Sequence, residues 1–164
     1  GYAATGDKVS VAFRRLSFVL GLHGPCASVD TVCTSAWVAA RHRATKIAGD
    51  ESGEAVSLAV RLKLAPHTTL GAASAGMLLV DWWCKTLDAC DNSYARSEGM
   101  GAVVLHRSHA ALVQWGGSAV RQDGRWMSLI APNTSAQHTL LLAALGSTAL
   151  ASADVEGVER HDTS

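Results

Sequence analysis

The chain is expected to be an α/β protein with mixed sheets, and three observations predict it. Short apolar runs of strand character alternate with stretches of helical period along the chain. Glycine is frequent, at 15 of 164 residues, while aromatic residues make up only 5%; small residues at that frequency allow the close backbone approaches of a layered core. The composition is 48% hydrophobic and 17% charged with no low-complexity tract, which argues against disorder.

The elements follow in chain order. Leu16–Leu22, "LSFVLGL", is a short apolar run closed by a glycine and reads as a buried strand. Gly24-Pro25 marks a turn. A helix is predicted from about Thr34 to Ala48. Trp37, Ala40, Ala44 and Ile47 form its apolar face at 3–4 spacing, and Arg41, His42, Arg43 and Lys46 take the other faces. Positive charge in its C-terminal half suits the helix dipole, and Gly49 is the expected stop. Ala55–Leu64 alternates: Val56, Leu58, Val60, Leu62 and Leu64 point one way, and Ser57, Ala59, Arg61 and Lys63 the other. That is a strand, ended by Pro66. "TTLGAASAGMLLV" reads as a small-residue helix. A polar loop then leads to a glycine pair and a buried strand at Ala102–Leu105. "GGSAVRQDGR" reads as a strand running into a turn at Asp123-Gly124. Pro132-Asn133 precedes a helix, "AQHTLLLAALGSTAL", and "DVEGVER" reads as a last strand.

Charge and cysteine usage exclude several classes. The 14 basic and 14 acidic residues cancel, and no basic stripe points to nucleic acid. The start, "GYAATGDKVS", is too polar for a signal peptide. The longest apolar run, "LLLAALGSTALASA", is too short for a membrane span. The four cysteines, Cys26, Cys33, Cys84 and Cys90, form no C-x-x-C pair, so neither structural zinc nor a disulfide framework is expected. Free thiols point to an intracellular, cytoplasmic setting, with a plastid left open.

Cys33 carries the chemical interest. It lies where the predicted helix begins, and unpaired backbone N–H groups at a helix start favour a thiolate. The competing reading is a small apolar residue in a core, the commoner fate of a free cysteine.

The surrounding residues bear on that choice. "GPCASVDTVCTSA" resembles the β-ketoacyl synthase signature G-P-S-x-x-x-D-T-A-C-S-S-S, matching at Gly24, Pro25, Asp30, Thr31, Cys33 and Ser35. Further blocks resemble the same family in the same order: "YAATG" with "RLSFVLGL", "CKTLDACDNSYARSEGMGAVVL", "GSAVRQDGRWMSLIAPN" and "VERHDTS". The resemblance is to the ketosynthase domains of modular type I polyketide synthases. It implies an incomplete thiolase-like fold of layers α, β, α, β and α. Residues 1–107 would be the rear part of an N-terminal half, and residues 108–164 the start of a C-terminal half.

The resemblance also implies a reaction. Cys33 would take an acyl chain from a carrier-protein thioester. His161 would be the first of two histidines that assist decarboxylation of a malonyl-type extender and stabilise its enolate. Condensation then gives a 3-ketoacyl thioester and carbon dioxide, in polyketide or fatty acid synthesis. The domain would bind no cofactor of its own, because substrates ride on the phosphopantetheine of an acyl carrier protein. A homodimer is implied, with no nucleic-acid partner. The family's later lysine, second histidine and glycine-rich oxyanion segment have no counterpart here, so this stretch alone is expected to be inactive. The other readings are a non-catalytic ketosynthase-like module, a thiolase-superfamily enzyme acting on acyl-coenzyme A, and a cysteine hydrolase.

Secondary roles follow from the same resemblance. Cys26 stands where the family has serine, and Cys84 and Cys90 are bystanders. His23, His42, His106, His109 and His138 lie in no matched catalytic motif and are expected in loops or at the surface. Arg96 and Glu98 are expected to be structural. The basic residues of the first helix offer a surface for an acidic carrier, or simply a solvated face. Bulk replaces glycine at Arg14, Leu58, Ala59, Trp82, Ser93, Ser128 and Asp162, while Trp83 replaces an arginine and Trp126 and Met127 replace a serine and an asparagine. Several of these are expected to strain the fold, through positive φ or a steric conflict.

Overall fold

A computed structural model describes residues 8–79, 84–85, 93–108, 111–124, 133–159 and 161. Two compact units are present. The first comprises Gly1–Ala59 with Met100–Leu112, the second Val60–Gly99 with Val113–Ser164.

The first described helix of the first unit is α1, Val9–Leu20. The strand expected at Leu16–Leu22 is thus the last turn of a helix. Val9, Phe13, Leu16 and Leu20 recur at helical spacing, a period that a seven-residue window cuts short. Gly21 is a helix stop: at φ 63° it is left-handed, and the N–H of Leu22 returns to the carbonyl of Ser17 at 2.9 Å. A 3₁₀ turn, Val32–Thr34, then leads directly into α2, Ser35–Ala48. This helix agrees with the predicted span, and Gly49 caps it. Ala40 and Ile47 are buried, whereas Trp37 is 68% exposed, so the apolar face is narrower than its period suggests.

Strands β1, Glu54–Arg61, and β2, Gly99–His106, pair in a two-stranded sheet. In β1 the apolar face is not the buried one. Ser57 is its buried residue, while Val56 and Val60 are exposed. β2 is exposed except for half-buried Leu105, not buried as expected. Alternation marks which side chains share a face, but burial requires a layer to cover that face.

In the second unit, α3 spans Pro66–Ser74 with Pro66 in its first turn, where a missing N–H costs nothing. It is shorter than predicted because Gly76, at φ 69°, turns the chain and the N–H of Met77 closes on the carbonyl of Ala72. Leu78 then pairs with Tyr94 in a parallel bridge, beside buried Leu79. Helix α4 spans Thr134–Gly146, and the Asn133 side chain caps it by accepting from the N–H of Ala136 at 3.2 Å. Two expected strands are not formed. Residues 116–124 have no regular secondary structure, and the last predicted strand begins at the end of a 3₁₀ turn, Ser152–Asp154, and is irregular through residue 159. Among the described residues no neighbouring strand completes a ladder for either segment.

Among the described residues the buried apolar side chains are Ala40, Ile47 and Leu79. Many large ones are exposed, including Phe18, Leu64, Val104 and Leu142. No described helix is long and apolar enough to cross a membrane.

Candidate active site

Cys33 sits in the middle of the 3₁₀ turn, just ahead of Ser35, the first residue of α2. It is exposed and free, not packed in a core among the described residues. The chain reaches it through an unusual backbone step. Val32 has φ 59°, a left-handed conformation that β-branched residues rarely adopt.

Side chains on both sides hold that step. The N–H of Val32 donates to Asp30 Oδ1 at 3.4 Å. The carbonyl of Val32 accepts from Ser35 Oγ at 2.6 Å and also from the N–H of Ser35. Ser35 Oγ itself accepts from the N–H of Thr31 at 2.8 Å. Thr34 Oγ1 donates to the carbonyl of Thr31 at 2.8 Å. The matched residues Asp30, Thr31 and Ser35 therefore build the turn that presents Cys33.

The segment upstream is tied to both helices. Arg43 donates from α2 to the carbonyl of Pro25 at 2.9 Å. Ser17 Oγ lies 3.5 Å from Cys26 Sγ, and Ser28 Oγ donates to the carbonyl of Val9 at 2.6 Å. Lys46 is paired with Glu51 at 2.7 Å. Arg43 and Lys46 thus serve the unit's own structure rather than forming a wholly solvated basic face.

His161 is exposed and lies in irregular chain of the second unit; its neighbours Arg160 and Asp162 lie outside the described residues. Cys33 belongs to the first unit. Of the remaining histidines, His23, His42, His106 and His138 are exposed, as expected of surface positions. Arg96 and Glu98 anchor backbone in the second unit. Arg96 donates to the carbonyl of Thr68, and Glu98 accepts from the N–H of Lys63.

Where they are described, the glycine replacements take no positive φ. Arg14 lies on an exposed face of α1, and Leu58 and Ala59 lie half-buried in β1. Among the described residues only Val32 and Asp50 carry positive φ without being glycine, so the strain falls elsewhere. Trp82, Trp83, Cys90, His109, Trp126, Met127, Ser128 and Asp162 lie outside the described residues. Sequence reasoning also missed Arg107. It reaches from the end of β2 to the carbonyls of Ile47 and Ala48 and to Asp50. No local motif signals such a contact.

Comparison with known proteins identifies the class. The model of the β-ketoacyl synthase N-terminal domain matches residues 1–111, and that of the C-terminal domain matches residues 112–164. The chain belongs to the β-ketoacyl synthase family. Within it, the likeness is to ketosynthase domains of type I polyketide synthases. The chain is 38% identical over 169 residues to a phenolphthiocerol/phthiocerol polyketide synthase of Mycobacterium tuberculosis, covering 99% of this chain and 8% of that protein. It is 39% identical to a phenolphthiocerol synthesis type I polyketide synthase of Mycobacterium bovis, with the same coverage. The oxazolomycin ketosynthase domain OzmH KS7 of Streptomyces albus superimposes with a TM-score of 0.83 at 29% identity, covering 92% of this chain and 28% of that one. A ketosynthase from module 6 of the Bacillus subtilis bacillaene synthase gives a TM-score of 0.79 at 30% identity, covering 87% and 27%. The thiolase-like fold is therefore present in part, and the chain spans less than a third of a solved ketosynthase domain.

Proposed function

We propose that this chain carries the nucleophile of a condensing ketosynthase that extends acyl chains in polyketide synthesis. The supporting observation is Cys33. It is an exposed thiol at the head of α2, on a turn built by the family's own signature residues.

In the first step the Cys33 thiolate adds to the carbonyl carbon of an acyl thioester on a carrier phosphopantetheine. The tetrahedral oxyanion collapses, expels the carrier thiolate and leaves an acyl-Cys33 thioester. The nucleophile's own backbone N–H is a donor for that oxyanion. A malonyl-type extender then loses carbon dioxide, and the electron pair of the broken bond remains as an enolate. His161 is assigned to donate a hydrogen bond to that enolate oxygen. The enolate carbon attacks the acyl-Cys33 carbonyl, the Cys33 thiolate leaves, and a 3-ketoacyl thioester results. No cofactor is required of the domain itself. Its partners are an acyl carrier protein or carrier domain and, in a complete domain, a second copy of the protein. The two halves are proposed to meet near residues 107–108. Fatty acid synthesis would use the same steps.

The chain is proposed to work within a complete domain, not alone. It covers about a quarter of the solved relatives and leaves many large apolar side chains exposed, which the rest of a complete domain is proposed to cover. The test is a condensation assay on the complete domain, with acyl- and malonyl-loaded carrier protein. Formation of 3-ketoacyl carrier and carbon dioxide supports the proposal. Acyl transfer from free coenzyme A thioesters in preference to carrier thioesters would favour a coenzyme A-dependent enzyme instead.

A further inference from the structure

The hydroxyl of Ser35 holds one particular peptide group. A carbonyl and the N–H that follows it belong to the same planar unit, and in the trans form they point in opposite directions. No peptide bond is cis among the described residues. The carbonyl of Val32 and the N–H of Cys33 form such a unit. Ser35 Oγ donates to that carbonyl at 2.6 Å, and the N–H of Ser35 reaches the same oxygen. Fixing the carbonyl on one side fixes the Cys33 N–H on the other.

The same hydroxyl also accepts from the N–H of Thr31 at 2.8 Å, so it bridges the Asp30–Thr31 and Val32–Cys33 peptide groups. Left-handed valine persists only where its surroundings hold it there. Asp30, through the N–H of Val32, and Thr34, through the carbonyl of Thr31, add to that hold. Hydrogen bonding to an amide carbonyl further polarises the peptide and makes its N–H a better donor.

We propose that Ser35 is a positioning residue: its hydroxyl aims and polarises the Cys33 N–H that receives the thioester oxyanion. The inference rests on the acyl-transfer reading of Cys33. It predicts a split between two reactions of the same thiol. Acyl transfer passes through a tetrahedral oxyanion, whereas alkylation by iodoacetamide displaces iodide and forms none.

The experiment measures both rate constants at Cys33 in the complete domain. The acyl probe is the hexanoyl thioester of N-acetylcysteamine, and adducts are mapped by peptide mass spectrometry. Removing an oxyanion donor outright costs about 100- to 1,000-fold, so misaiming one in Ser35→Ala is expected to slow acylation about 10- to 100-fold. Alkylation should change less than about twofold, and Ser35→Thr, which keeps the hydroxyl, should restore acylation. Should Ser35→Ala not fold, Val32→Gly/Ser35→Ala removes the strained residue, still lacks the hydroxyl and should show the same split. Equal slowing of both reactions, or of neither, overturns the positioning role. A parent protein that is alkylated but never acylated overturns the acyl-transfer reading itself.

Discussion

Arg107 closes the C-terminal end of α2 against Asp50. Its Nη1 lies 2.7 Å from Asp50 Oδ1, and its Nη2 donates to the carbonyls of Ile47 at 2.8 Å and Ala48 at 3.0 Å. A helix leaves its last carbonyls unpaired, and a cation there also meets the negative end of the dipole. Arg107 satisfies both needs for the helix that Cys33 heads.

Arg107→Ala is therefore expected to destabilise the protein by about 1–2 kcal/mol. The carbonyl bonds carry most of that loss, because both partners of the ion pair are half or more exposed and such pairs contribute little. Arg107→Lys keeps the charge but not the two-pronged geometry, and should recover less than half. Urea unfolding followed by circular dichroism measures this. A loss that vanishes in high salt would assign the effect to the ion pair instead.

Asn133 is expected to matter through its cap. Its Oδ1 accepts from the N–H of Ala136, while its own N–H and Nδ2 donate to Asp123. Asn133→Ala should cost about 1 kcal/mol. Asn133→Ser should recover part of it. Asn133→Asp should not, because it sets a second carboxylate beside Asp123 and loses a donor. Thermal unfolding ranks the three variants. Equal stability of Asn133→Asp and the parent would contradict the described network.

These two contacts show what a linear reading reaches. The helix from Thr34 to Ala48 was legible because its apolar spacing spans four turns and ends at Gly49. The helix after Asn133 was legible because Pro132-Asn133 is a local start signal, whereas the cap itself came from the structure. Arg107 was not, since its partners lie far away in sequence. Leu16–Leu22 misled because a glycine can end a strand or turn left-handed after a helix, and only the longer period from Val9 separates the two. The exposed apolar face of β1 and the exposed β2 have another cause: alternation defines faces, but which layer covers them is a tertiary matter. At the candidate site the signature marked Cys33, Asp30, Thr31 and Ser35. It did not disclose the left-handed Val32, since a β-branched residue argues against that conformation.

The exposed apolar residues carry a prediction about the chain in isolation. Phe18 is 88% and Leu64 is 85% exposed, well beyond what scattered surface residues explain. The isolated 164-residue chain should bind the dye ANS several-fold more strongly than the complete domain, and should show no condensation activity. Weak dye binding with a cooperative unfolding transition would mean that this stretch is self-sufficient.

The most direct test concerns Cys33 itself. The complete domain is incubated with a carrier protein bearing a hexanoyl thioester, without extender, and its peptides are mapped by mass spectrometry. The expected result is one hexanoyl group on Cys33, absent from Cys33→Ala and released as 3-ketoacyl product when malonyl carrier is added. Acylation elsewhere with Cys33 unmodified, or free hexanoic acid in place of an adduct, would contradict a condensing role for this thiol.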